Sequence, residues 1–415
     1  MDAKRLRQQR LGQLLDLARA YRRISRRKLA SLLDRDPGRI IPESGVPKLD
    51  LVVRLAGQLD WPVEQVIRFL ELEDDALPTD GDGQSFESLQ KASREAWSAG
   101  QYTRAAALAQ CAYSAARSAD DRALASNREV AAWNGLGHYS RAVDAVRKGL
   151  RETTASLELR LILESNLANA YYTGWELLEA RSIARDLLDW YEEHPPESQR
   201  DRATQAFAFY VHGNTLRRMI ITDGEGTRKR LQRARSDLET SDRLYVELAD
   251  EYQDESYAGI ANTCRGGIIE VEVELAHRTP DDALRELLQR LDAIVDLSNC
   301  LNGEWLESYG WLCIFGCNIA LRHLSDERVI QRYMGVFTNK ADEIAQRIDS
   351  WPLWERVFSM EYARCERICD LTGMWLPPPL DEDDVHVIVG TMGRYPAFRD
   401  RGLRLLQSAR IVRNE

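Results

Sequence analysis

A chain of 415 residues, 44% hydrophobic and 29% charged, has room for more than one domain and a large buried core. That balance excludes a disordered or low-complexity protein, and no run of about 18 apolar residues offers a membrane span. The net charge of −10 is unevenly divided: residues 1–70 hold 15 Lys/Arg against 8 Asp/Glu, so a basic head, suited to a polyanion, precedes an acidic body.

The first residues, MDAKRLRQQR, lead into an amphipathic run rather than an apolar one, so no secretory signal is expected. The odd count of seven cysteines points the same way, to reduced thiols and a cytoplasmic setting. Cys313/Cys317 and Cys365/Cys369 share helix faces at i,i+4 spacing. They lack the further Cys or His partners that zinc draws on, so they read as small core residues, and no metal or cofactor is expected.

In chain order, Leu11, Leu14, Leu15 and Ala18 recur at helical spacing and predict a first helix over residues 3–20. Ser25 is an N-cap for a second helix, Arg26 to Leu33, and Asp34-Arg35-Asp36 is a turn. Pro37 suits the first position of a third short helix. Lys48 to Ala56 begins a fourth, and Trp61-Pro62-Val63 leads into a fifth. This pattern, with Glu43-x-Gly45-x-Pro47 between helices, resembles the Cro/repressor-type helix-turn-helix domain. The resemblance implies a third helix in the major groove of double-stranded DNA and a second helix whose start touches the backbone. Carried over by position, the DNA-binding candidates are Ser25, Arg26, Arg27, Lys28, Arg35, Arg39 and Lys48. The recognition stretch Asp36 to Ser44 departs from the pattern: it carries Pro37, Gly38 and Pro42, and Pro42 stops a helix early.

Residues 71–85, ELEDDALPTDGDGQS, are acidic and rich in turn formers, and read as a flexible linker. Beyond it, Gly100-x-Tyr102-x-x-Ala105 and Gly137-x-Tyr139-x-x-Ala142 share one pattern, and Ala180 continues it after a turn placed near Gly174. The alanines stand 37 and 38 residues apart, the signature of stacked helix pairs. Helix pairs are expected over 86–117, 121–152, 156–193, 200–250, 254–297, 303–349 and 351–374, losing strict register after Ala180. Residues 377–415 read as a terminal cap, with Leu403, Leu406 and Ile411 inward and Arg399, Arg401, Arg404 and Arg410 outward. The fold class is all-α: a small five-helix helix-turn-helix domain over residues 1–70, then a solenoid of tetratricopeptide-like pairs over 86–376.

The repeats resemble tetratricopeptide repeats, whose first helices line a concave face. That resemblance makes Asn166, Asn169, Asn214, Arg217, Asn262 and Arg265 the candidate ligand-binding residues. An asparagine amide offers a donor and an acceptor to a peptide bond, and arginine suits a carboxylate. Trp305, Trp311, Trp351, Trp354 and Trp375 crowd the last third, where long helices need aromatic core. No phosphate-binding glycine loop, H-E-x-x-H or G-x-S-x-G is present, so an enzyme is not expected. The order of head and body resembles the RRNPP-type bacterial regulators. That implies a homodimeric cytoplasmic transcription regulator whose array senses a short peptide or small-molecule effector. The alternative is an interaction adaptor whose head does not bind DNA.

Overall fold

The computed structural model describes residues 3–44, 46–59, 61, 63–70, 84–219, 226–297, 303–376 and 378–411. It divides into two compact units, Met1–Pro78 and Thr79–Glu415. The expected linker lies outside the described residues except for Gln84 and Ser85. Ser85 caps the first helix of the second unit by accepting from the Ser88 amide. The architecture is all-α, with one two-residue parallel strand pair, β1 (Pro379–Leu380) against β2 (Arg410–Ile411).

The first unit packs α1 (Ala3–Arg22), α2 (Arg26–Leu32), α3 (Leu49–Leu59) and α4 (Val63–Leu70). Leu11, Leu14, Leu15 and Ala18 form the stripe on α1, closed by Leu29, Ala30, Leu51, Leu55 and Val66. The expected third helix does not form, and four helices stand where five were anticipated. Asp36 to Arg39 is a turn instead: the Arg39 amide donates to the Asp36 carbonyl at 3.0 Å and the Gly38 amide to Asp36 Oδ1 at 2.8 Å. Pro42 has no amide to give a helix, and its ring would clash with the carbonyl four residues back. The segment is fastened by other means. Ile40 is buried in the core. The Gln8 side-chain amide donates to the carbonyls of Pro42 and Glu43 at 3.1 and 3.2 Å.

The second unit alternates paired helices: α5 (Phe86–Ser98) and α6 (Tyr102–Ala115), α7 (Ala119–Gly135) and α8 (Tyr139–Leu150), α9 (Leu157–Thr173) and α10 (Leu177–Glu193). Three further pairs follow: α11 (Gln199–Arg218) and α12 (Thr227–Tyr252), α13 (Glu255–Glu274) and α14 (Pro280–Leu291), α15 (Glu304–His323) and α16 (Glu327–Ile348). Then comes α17 (Trp351–Thr372), a single helix where a pair was expected.

Each of the first three pairs turns on one left-handed residue: Gly100, Gly137 and Trp175, at φ 73°, 68° and 68°. In each turn the amide of the next residue reaches a carbonyl five positions back: Gln101 to Ala96, His138 to Trp133 and Glu176 to Tyr171. The repeat thus rests on one hydrogen-bonded turn, which also recurs later at Ala276 (His277 to Glu272) and Asp349 (Ser350 to Ala345). Its alanines, Ala105, Ala142 and Ala180, are fully buried. The third turn pivots on Trp175, not Gly174, which sits at φ −74° as the preceding cap. A tryptophan in this conformation stores about 1–3 kcal/mol of strain, which its surroundings must offset.

The C-terminal segment is more structured than a simple cap. Asp381 and Asp384 form a capping box for α18 (Glu382–Arg394), and α19 (Arg399–Ser408) follows a short turn. α19 packs through Gly402 and Leu405, with Leu406 against the same core as anticipated, whereas Leu403, expected inward, is 48% exposed. α18 reaches back to the second helix pair. Arg394 Nε donates to the Leu136 carbonyl at 2.9 Å, and the Tyr395 hydroxyl donates to that of Tyr139 at 2.8 Å. The Arg394 guanidinium lies over the Trp351 ring, 3.5 Å from its centre. A Cβ on Gly137 would come within 2.9 Å of Trp351 Cβ, whereas one on Gly100 would meet nothing within 4 Å. Gly100→Ala is therefore expected to cost only left-handed strain, about 1–2 kcal/mol. Gly137→Ala adds overpacking and should lose about 1–3 kcal/mol more. Chemical denaturation of the two variants side by side measures the difference.

Candidate functional site

On the first unit, Ser25, Arg26, Arg27, Lys28, Arg39 and Lys48 are all exposed. Ser25 caps α2 by accepting from the Lys28 amide at 3.3 Å. The first turn of α2 carries Arg26, Arg27 and Lys28 and no acid. Three cations at the positive end of a helix are unfavourable unless an anion neutralises them. Among the described residues none of Arg26, Arg27, Lys28, Arg39 and Lys48 stands in an ion pair. Arg35 differs: half-buried, it binds Asp50 at 2.5 Å and the Asp34 carbonyl at 2.8 Å. Its hydrogen bond holds the Asp50 carboxyl below the usual range. Arg35 thus fastens the turn to α3.

In the second unit α5 touches α7, α7 touches α9 and α9 touches α11, without comparable contacts among the even-numbered helices. The odd-numbered helices therefore share one wall. Gln90 on α5 and Asn127 on α7 occupy matching places on it, each ten residues before the left-handed glycine of its turn. Asn166 on α9 donates from Nδ2 to Asn127 Oδ1 at 2.7 Å. Asn169, one turn on, is half-buried.

This wall has unfilled hydrogen-bonding capacity. Both amide atoms of Gln90, Arg128 Nε and Asn134 Oδ1 are buried without a partner among the described residues. Each such atom costs about 1–3 kcal/mol. Burial lowers the Arg128 pKa, and the charges of Arg94 and Arg200 push it the same way, so the wall is also positive. A depression of about 550 Å³, lined by Lys91, Arg94, Glu95, Ser98 and Ala99, adjoins it on α5. Such a surface can take an extended chain that offers alternating carbonyls and amides, with an acidic group toward the arginines.

The anticipated ligand residues do not all gather there. Asn166 and Asn169 do. Asn214, Arg217 and Asn262 are buried within the array's own packing. Arg217 donates to Glu270 Oε2 at 2.7 Å and to Asn214 Oδ1 at 3.2 Å, and Glu270 also accepts from Asn318 and Arg322. Burial alone would lower the Arg217 pKa, but charge on Glu270 and neighbouring tyrosines leaves it raised. Asn262 donates to the Ser308 hydroxyl at 2.8 Å, and Arg265 pairs with Asp242 at 3.0 Å on the outside. Of the aromatic group, Trp354 lies in the largest core, Trp311 and Trp351 pack against it, and Trp305 and Trp375 stay partly exposed.

Sequence reasoning passed over Gln90, Asn127, Arg128 and Asn134. A signal was present: Asn127 precedes Asn166 by 39 residues and Gln90 precedes Asn127 by 37, about one repeat each time. Six of the seven cysteines lie among the described residues, and all six are free. Among the described residues no helix is long and apolar enough to cross a membrane.

No protein-family model matches the chain, and no curated relative does. One solved structure that resembles it is Bacillus thuringiensis PlcR in complex with the peptide PapR7 and DNA. The match covers 69% of this chain and 95% of that one, at 13% identity and a TM-score of 0.37. A likeness this remote leaves fold and function to rest on the chain's own geometry. That geometry defines an all-α protein with a basic four-helix head and a repeat array bearing a polar, positive wall.

Glu270→Gln tests the structural assignment of Arg217. It strips a buried guanidinium of its counter-charge and should lower stability by about 3–5 kcal/mol in a denaturant titration. An Arg217 reserved for a ligand would leave stability nearly unchanged.

Proposed function

We propose that the chain is a DNA-associated regulator whose repeat array holds a short extended peptide along the wall formed by α5, α7 and α9. The observation that carries the reading is the row Gln90, Asn127 and Asn166, with Arg128 and Asn134 beside it. Gln90, Arg128 and Asn134 keep buried polar atoms unfilled there, while Asn127 and Asn166 pair with each other. Asn169 continues the row. Arg94 and Arg128 favour a peptide with an acidic residue or a free carboxylate. The head takes part through Arg26, Arg27, Lys28, Arg39 and Lys48, which suit phosphate contacts along a duplex. With a turn in place of the third helix, backbone contact is better supported than base reading. Peptide binding would act by favouring one arrangement of the helix pairs over another, and so the presentation of the heads in a homodimer.

Panning a displayed library of random heptapeptides against the full-length chain tests the array. Enriched peptides should bind at least about ten-fold more weakly to Asn127→Ala/Asn166→Ala, a loss of about 1.4 kcal/mol. Failure to enrich any sequence, or equal binding by the double variant, contradicts the reading. For the head, duplex affinity should fall with salt at a log–log slope of about −4, reduced by about one in Arg26→Ala or Arg39→Ala. The missing third helix favours a second reading, a head that docks on a protein. That reading expects no duplex binding even at about 50 mM salt.

A further inference from the structure

Away from the amide row, the third turn and helices α11 and α17 bring two arginines to one tryptophan. The Arg218 and Arg356 guanidiniums lie 4.7 and 5.0 Å from the Trp175 ring centre. Arg218 also stacks on Tyr172 at 3.9 Å and donates to its carbonyl at 3.1 Å. Arg218 is 8% exposed and Arg356 7%. Two cations this far from water need anions, and they have too few. Among the described residues Arg218 has no carboxylate partner. Arg356 has Glu355 at 3.7 Å, beyond hydrogen-bond reach, and Glu355 Oε1 already accepts from Ser359. Arg356 Nη1 is buried without a hydrogen bond.

Three further features mark the place as more than packing. Trp175 holds the left-handed conformation that glycine takes at the two preceding turns, and in doing so presents its ring to both guanidiniums. Glu270 already serves Arg217, next along α11, together with Asn318 and Arg322, so it is no spare anion for Arg218. Trp175 is only half-buried, so the cluster is not sealed from water. Burial pushes the Arg356 guanidinium down to about 10; Glu355 opposes this, and Arg218, Arg401 and Arg217 reinforce it.

We infer that Arg218, Arg356 and Trp175 form a carboxylate-binding site inside the repeat array. A carboxylate matches the planar fork of a guanidinium and would accept from Arg356 Nη1. It would also supply the negative charge that Glu355 alone does not. The carboxylate belongs to a small organic acid or to the end of a peptide. The site shares no residue with the amide row and stands or falls separately from it.

The test uses the full-length chain, with thermal unfolding and calorimetry. The probes are benzoate with benzamide as its neutral counterpart, and acetylated tetra-alanine ending in a free carboxylate or an amide. Saturable binding of benzoate or of the free-acid peptide, with a rise in Tm, is expected, and the neutral counterparts should give none. Arg356→Gln should weaken binding at least ten-fold. Arg218→Gln, confirmed folded by circular dichroism, provides a second reading should Arg356→Gln fold poorly. A response to benzoate alone assigns the site to a free acid, and to the peptide alone, to a chain terminus. Absence of saturable binding by either acid overturns the inference. So does an equal response in a folded arginine variant, or an equal response to the amides or to chloride at matched ionic strength.

Discussion

The second unit depends on a single backbone device: one residue in the left-handed region, followed by an amide that bonds five positions back. It reverses the chain between antiparallel helices and sets the approach that Ala105, Ala142 and Ala180 then make close. Because the device recurs at nearly equal spacing, matching faces of α5, α7 and α9 line up. That alignment brings Gln90, Asn127 and Asn166 onto one wall. Where tryptophan replaces glycine at the third turn, the same geometry aims an aromatic ring at α11 and α17. The two proposed sites are consequences of one turn, once with glycine and once without it.

The interior shows how buried polarity divides between holding the fold and awaiting a partner. Glu270 accepts from Arg217, Asn318 and Arg322, a network whose members satisfy one another. His212 and Asp237, 2.8 Å apart, do likewise. Gln90, Arg128, Asn134 and Arg356 do not. An unmade buried hydrogen bond costs about as much as a good packing contact gains, so such groups are rarely left idle. The contact of Arg394 and Tyr395 with the turn at Leu136 to Tyr139 limits how far the helix pairs can move apart.

The fold class and the repeat were legible because they rest on spacing: leucines at helical intervals on α1, and alanines 37 and 38 residues apart. The boundaries of α2 followed from Ser25 as a cap. The third head helix misled because the family pattern extends across Asp36 to Ser44, whereas Pro37, Gly38 and Pro42 act locally and win. The turn expected near Gly174 pivots on Trp175, a residue type that is a poor guide to the left-handed region glycine usually fills. Asn214, Arg217 and Asn262 drew notice by residue type. Glu270, partner of Arg217, and Ser308, partner of Asn262, lie 53 and 46 residues away, and no local pattern pairs them. Arg218, Arg356 and Trp175 come from three separate segments and meet only in the folded array.

On the function proposed here, the wall of α5, α7 and α9 is a peptide groove. The most direct measurement is a crystal structure of the full-length chain with a peptide enriched by panning. The expected result is an extended peptide whose backbone carbonyls and amides lie at hydrogen-bond distance from Gln90, Asn127 and Asn166, with its acidic group toward Arg94 or Arg128. A peptide bound elsewhere, with the Gln90 and Asn127 amides untouched, would contradict the account.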